Sequence, residues 1–274
     1  MKLNLKSLST AALLALGLAS TANAGSIYLT GHDIDFHNGQ RGYDSVILNY
    51  LRDTTAAASY KVGLITGGVG TIGGALRGAP LWAGGVTEFN PIGKTALEFA
   101  TFLASVDVMV VSSHTSCGGC DLSTAASGAL NAFAPAITTW FNAGGDIWGN
   151  TSGTLGSYYE FLPPTVVATG ASISGSSGFT CTLDGVLIGI DCTLSSSGTS
   201  MINGFPTHNR FSSFDAAFTV FETRETAGGR ETISIGLRDK TIVDGGFVPE
   251  PGSLALVGLG ALALGLSRRR AAAR

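Results

Sequence analysis

Charge is what this chain of 274 residues has least of: Asp, Glu, Lys and Arg together make up 13% of it. No Lys/Arg cluster occurs outside its two ends, and the formal net charge is -3. That balance rules out a dominant basic surface and argues against nucleic acid as a partner. A G-x-S-x-G elbow is missing, and Ser152 within Asn150-Thr151-Ser152-Gly153 is off that pattern, so a hydrolase serine has no seat. No internal repeat is found, and histidines number only four. A twin arginine is absent from the N-terminus, which leaves the general secretory route as the default. What is abundant is glycine, 39 residues, in a Gly/Ser/Thr/Ala-rich texture suited to an exported protein.

Both ends are addresses. Lys2 and Lys6 precede the apolar stretch Ala11 to Ala19, and Ala22-Asn23-Ala24 is a small-x-small cleavage site. Residues 1–24 therefore read as a signal peptide for signal peptidase, with the mature chain starting at Gly25. At the other end Pro249-Glu250-Pro251 leads into Leu254 to Leu266, nearly all apolar, and then Arg268-Arg269-Arg270. As a helix that run would span about 20 Å, short of a hydrocarbon core of about 30 Å. Alone it would equally suit a buried helix with a basic end. Extended back to Phe247 it becomes a marginal transmembrane anchor, with its arginines cytoplasmic by the positive-inside rule. The arrangement closely resembles the PEP-CTERM sorting tail of Gram-negative bacteria. The resemblance implies processing by an exosortase, transient residence in the inner membrane, and delivery to the cell surface or extracellular matrix. Such tails ride on unrelated cargo, so the tail leaves the activity of residues 25–246 open.

In an oxidising compartment Cys117, Cys120, Cys181 and Cys192 allow three pairings. Sequence separation suggests Cys117 with Cys120 and Cys181 with Cys192. The second pair flanks two apolar-alternating arms, and a hairpin over 179–194 would bring its sulfurs together. Cys117-Gly118-Gly119-Cys120 has the spacing of a redox motif but follows the third strand, which favours a loop disulfide. Zinc is disfavoured, because Cys181 and Cys192 do not form a second close pair.

Apolar runs at 26–30, 60–66, 106–111 and 146–149 alternate with helical periodicities at 43–51, 95–104 and 124–142, the last kinked or split near Pro135. This predicts an α/β domain with a doubly wound, mostly parallel sheet. From Thr165 the texture turns β-rich, with strands at 217–222 and 232–237, and a hydrophobic helix is appended at the C-terminus. Ala143-Gly144-Gly145-Asp146-Ile147-Trp148-Gly149-Asn150-Thr151 resembles the strand and elbow of the class I glutamine amidotransferase-like, flavodoxin-like superfamily and its ThuA-like members. The resemblance implies only the fold: Thr151 stands where the nucleophilic cysteine would be, which argues against glutamine hydrolysis. Gly68-Val69-Gly70-Thr71-Ile72-Gly73 matches G-x-G-x-x-G, but further glycines and Pro80 make a poor helix after it, so it reads as a flexible loop.

In a parallel sheet, ligands bind beyond the carboxyl ends of the strands. There the sequence places His32, Asp33, Asp35 and His37 after the first strand, His114 after the third, and Asn150 and Thr151 at the elbow. Imidazole with carboxylate suits a divalent metal, zinc, iron or manganese. The same residues would equally serve as turn caps and loop hydrogen bonds. The expectation is a surface or matrix binding protein without a strong catalytic site, with a surface polysaccharide among its candidate ligands. The alternatives are a metal-assisted hydrolase of an extracellular small molecule or glycan, and a structural matrix protein.

Overall fold

The computed structural model of the chain describes residues 24–36, 42–52, 60–67, 85–118, 120–193, 201–203, 206–238, 241–243 and 246–248. Five short strands are parallel: β1 (Ile27–Thr30), β2 (Val62–Ile65), β3 (Val86–Phe89), β4 (Val108–Val111) and β5 (Asp146–Gly149), in the spatial order β3-β2-β4-β5-β1. β1, β2, β4 and β5 are buried along their whole length, in keeping with runs that are apolar but for Thr30 and Asp146. β3 lies in a turn-rich stretch of mixed polarity, and its pattern gave no strand signal.

Between these strands run α1 (Tyr43–Leu51), α2 (Ala96–Leu103), α3 (Thr124–Asn131) and α4 (Ala134–Asn142). Thr95 starts α2 with a capping box: its hydroxyl accepts from Glu98 N while the Glu98 carboxylate accepts from Thr95 N. The periodicity over 124–142 is split in two, with Pro135 in the first turn of α4, where its missing N–H costs nothing. Ile27, Leu29, Met109, Val111 and Ile147 pack on one face of the sheet with α2, α3 and α4. Tyr28, Val62, Val108, Val110 and Trp148 pack on the other with α1.

The rest of the chain overturns the doubly wound, mostly parallel architecture that the sequence predicts. β6 (Ala168–Ser172), β7 (Phe179–Cys181), β8 (Asn209–Phe214), β9 (Thr219–Thr226) and β10 (Gly229–Leu237) join the same sheet by antiparallel pairing. The result is one mixed, β-rich sheet of ten strands in which antiparallel neighbours outnumber parallel ones. Helices are few and none described exceeds nine residues. The cause is local. β9 and β10 are long and joined by a two-residue turn, so they form a hairpin before any crossover helix can intervene, and β10 pairs with β1 in reverse. The hairpin expected over 179–194 is corrected too: one residue after Cys181, α5 (Leu183–Leu187) begins, capped by the Thr182 hydroxyl accepting from Gly185 N. Among the described residues, β11 (Thr241–Val243) and β12 (Gly246–Val248) pair only with each other. Among the described residues no helix is long and apolar enough to cross a membrane. The signal peptide, the glycine-rich loop at 68–73 and the C-terminal helix lie outside the described residues.

One junction decides what becomes of the rim. β10 pairs with β1 through Ser234 to Leu237 and, on the same edge, with β8 at Thr232. β8 therefore begins where β1 ends. Gly31 sits at the seam, where a Cβ would come within 1.9 Å of the Asn209 carbonyl oxygen, and the Gly31 carbonyl accepts from His208 N. His32 pairs across to Thr207. The carboxyl end of β1 is thus roofed by the start of β8.

Candidate functional site

Beyond β1 successive side chains part company. His32 is fully buried, and its Nε2 donates to Glu222 Oε1 at 2.8 Å while Nδ1 lies 2.9 Å from Thr207 Oγ1. Tyr43 and Ser234 hydroxyls donate to Glu222 Oε2 at 2.9 and 2.8 Å, Tyr28 lies behind Tyr43 at 2.8 Å, and Ser234 reaches Thr30 Oγ1. Burial pushes the His32 imidazole down, but the Glu222 carboxylate, in Coulombic and hydrogen-bond contact, lifts it above its ordinary value. Burial and the same carboxylate raise the Tyr43 phenol well above the usual range. This is a closed network, its ring also packed edge-on against Phe179. It offers an incoming ligand no face.

Asp33, the next residue, lies with different partners. Its Oδ2 stands 3.2 Å from His208 Nε2, an ion-pair distance without full hydrogen-bond alignment, and 3.8 Å from the Cys120 sulfur. Asp33, Cys117 and His208 present donor atoms that all lie within 4.8 Å of one another. Asp33 is buried, whereas Cys117 is half-buried and the His208 side chain is 21% exposed. Cys117 is bonded to Cys120 and Cys181 to Cys192, with Cα atoms 5.8 and 5.7 Å apart.

The remaining rim residues are occupied locally. Asp35 accepts from Ser113 through both backbone and hydroxyl, and burial still raises its carboxyl to about 6. His114 faces Ser116 at 2.8 Å and Thr124 at 3.1 Å, and desolvation holds its pKa below the ordinary value. The Thr151 hydroxyl donates to Asn209 Oδ1 at 2.6 Å, and Asn150 Nδ2 donates to the Val111 carbonyl. Backbones tie the three loops together, since His114 N donates to Thr151 O and Thr151 N to His32 O. The segments after β1, β4 and β5 do meet at one rim, but the His32 and His114 rings engage separate partner sets. His37 lies outside the described residues. A shallow pocket of about 280 Å³ opens elsewhere, between Tyr159, Glu160, Leu162, Pro163 and Val167.

Two participants and one grouping escaped sequence reading. Glu222 was the readable one: a carboxylate beside Phe221 in an inward strand run must find a buried partner. His208 stood apart in sequence and reaches the rim only because β8 caps β1. The grouping of Asp33 with Cys117 likewise follows from topology and from no spacing.

Residues 247–270 match the PEP-CTERM protein-sorting motif. The chain is thereby marked as exported, with a C-terminal anchor that is processed by exosortase. Residues 249–274, including Pro249, Glu250 and Pro251, lie outside the described residues. No curated protein and no solved structure matches the chain, and the amidotransferase-like, flavodoxin-like resemblance finds no support there.

Proposed function

We propose that residues 25–246 form a surface or matrix binding domain of a Gram-negative bacterium, cut from its signal peptide after Ala24 and released from the inner membrane by exosortase. The proposed ligand site is the rim after β1, centred on Asp33 and His208, with an extracellular polysaccharide as the leading ligand class. The observation that carries this reading is the divergence at the end of β1, where Asp33 leads outward to a partly exposed imidazole while His32 is sealed. A catalytic reading has less behind it. Among the described residues, the buried hydroxyls of Thr151 and Ser113 are spent on Asn209 and Asp35 and face no exposed base. The cleavage position fits the fold: Gly25 N donates to the Phe141 carbonyl at the end of α4, a place that favours the positive charge of a new N-terminus.

The test is retention of the processed protein on its host's purified matrix polysaccharide. His208→Ala is expected to weaken retention at least tenfold while leaving the circular dichroism spectrum unchanged. Undiminished retention by that variant would remove the rim from the reading. Mass spectrometry of surface protein is expected to end the chain near Pro251, and an intact peptide through Arg274 would contradict processing.

A further inference from the structure

We infer that Asp33, Cys117, Cys120 and His208 form a redox-gated zinc site, closed while the two cysteines are bonded to each other and opened when that bond is reduced. This goes beyond the polysaccharide reading and does not depend on it.

The geometry comes first. A tetrahedral zinc ion with ligands at about 2.0 to 2.3 Å sets its donors about 3.3 to 3.8 Å apart. Asp33 Oδ2 is already 3.2 Å from His208 Nε2 and 3.8 Å from the Cys120 sulfur, and the Cys117 sulfur lies within 4.8 Å of both Asp33 and His208. Three elements supply the set: the segment after β1, the loop after β4, and the residue before β8. The sheet fixes all three, because His208 N bonds to Gly31 O, and Cys117 N and Leu122 N pin the cysteine loop to His114 O and Ser113 O. Two sulfurs, one imidazole and one carboxylate make a donor set that favours zinc over harder divalent cations. Sequence spacing gave no second half to the Cys117/Cys120 pair; topology supplies it with a carboxylate and an imidazole.

The gate is chemical. Only a thiolate is a strong sulfur ligand, so the disulfide form presents just two useful donors. An external dithiol would deliver two electrons and two protons: the Cys117–Cys120 bond breaks, two S–H groups form, and the reductant leaves as its own disulfide. Zinc then displaces both thiol protons to solvent, and His208 binds through a nitrogen free of its proton. Reoxidation by a disulfide would reverse the sequence and expel the metal. A newly exported chain, not yet oxidised, passes through the metal-binding form.

The test uses the whole chain, purified without a histidine tag, oxidised or dithiol-reduced and freed of reductant under anaerobic conditions. Zinc titrated against a chromophoric chelator is expected to bind the reduced chain at one equivalent and at least about 100-fold more tightly than the oxidised chain. Asp33→Asn and His208→Ala are each expected to weaken binding about 10-fold or more. Zinc should protect Cys117 and Cys120 from alkylation and leave Cys181 and Cys192 reactive, read by mass spectrometry. Equal binding by both redox forms, or protection that does not single out Cys117 and Cys120, overturns the site. Where reduction loosens the fold, zinc must raise the unfolding midpoint of the reduced chain and not of the oxidised one; no such rise also overturns it.

Discussion

Two neighbouring regions at the end of β1 solve the problem of a polar side chain in opposite ways. Around His32 every exposed option is closed, and the imidazole, Glu222, Tyr43 and Ser234 satisfy one another inside the sheet. Around Asp33 the carboxylate is equally buried, but beside the buried Cys120 it also has His208 and Cys117 nearby, both of which reach solvent. His32 forms an isolated bridge to Thr207 just past β1, and Asp33 follows in the loop with a different set of neighbours. A fully satisfied buried network specifies structure, whereas a buried charge beside half-exposed donors is a place where chemistry can enter.

Breaking the sealed side should cost most. Glu222→Ala leaves the His32, Tyr43 and Ser234 donors without their acceptor, and an expected loss of about 3–5 kcal/mol should show in denaturant unfolding. A loss below about 1 kcal/mol would mean that water enters the network. The two disulfides give the next contrast. Closing the longer loop, Cys181 to Cys192, should contribute about 3 kcal/mol, against about 2 kcal/mol for Cys117 to Cys120. Paired Cys→Ser variants compared by thermal unfolding check the order, and the reverse order would break the assignment of the Cys181–Cys192 bridge to stability and the Cys117–Cys120 bridge to chemistry.

Acidity separates the regions more gently. Burial raises Asp146 to about 7 and Asp35 to about 6, and His32 is raised by Glu222 against its own burial. Groups with raised folded pKa values bind protons more tightly in the native state, so their contribution is whole at low pH and fades as pH climbs through 6 and 7. His114, lowered by desolvation, acts the other way as pH falls below its ordinary value. Stability should therefore drop from pH 5 to pH 8, on the order of 2–4 kcal/mol once His114 offsets part of the loss. Asp146→Asn should flatten the upper part of that curve; an unchanged slope would place the titration elsewhere.

How far the sequence could be read follows the same division. The runs 106–111 and 146–149 are apolar apart from Asp107 and Asp146, so β4 and β5 were legible, as were α1 and the break at Pro135. Pairing direction was not, because it depends on Ala227-Gly228 closing a hairpin and on β10 finding β1 far away in sequence. Backbone hydrogen bonds link His32, Thr151 and His114 at one rim. Side-chain fate there depends on the roof that β8 builds at Gly31, and no local pattern around His32 encodes Thr207, His208 or Glu222.

The most direct measurement makes the same change at both histidines. His32→Gln and His208→Gln are compared for unfolding free energy in the oxidised state and for zinc binding in the reduced state. The account predicts that His32→Gln loses about 2–3 kcal/mol while still binding zinc when folded, and that His208→Gln stays within about 1 kcal/mol of the parent and loses zinc. Loss of zinc at His32→Gln with binding retained at His208→Gln would contradict it.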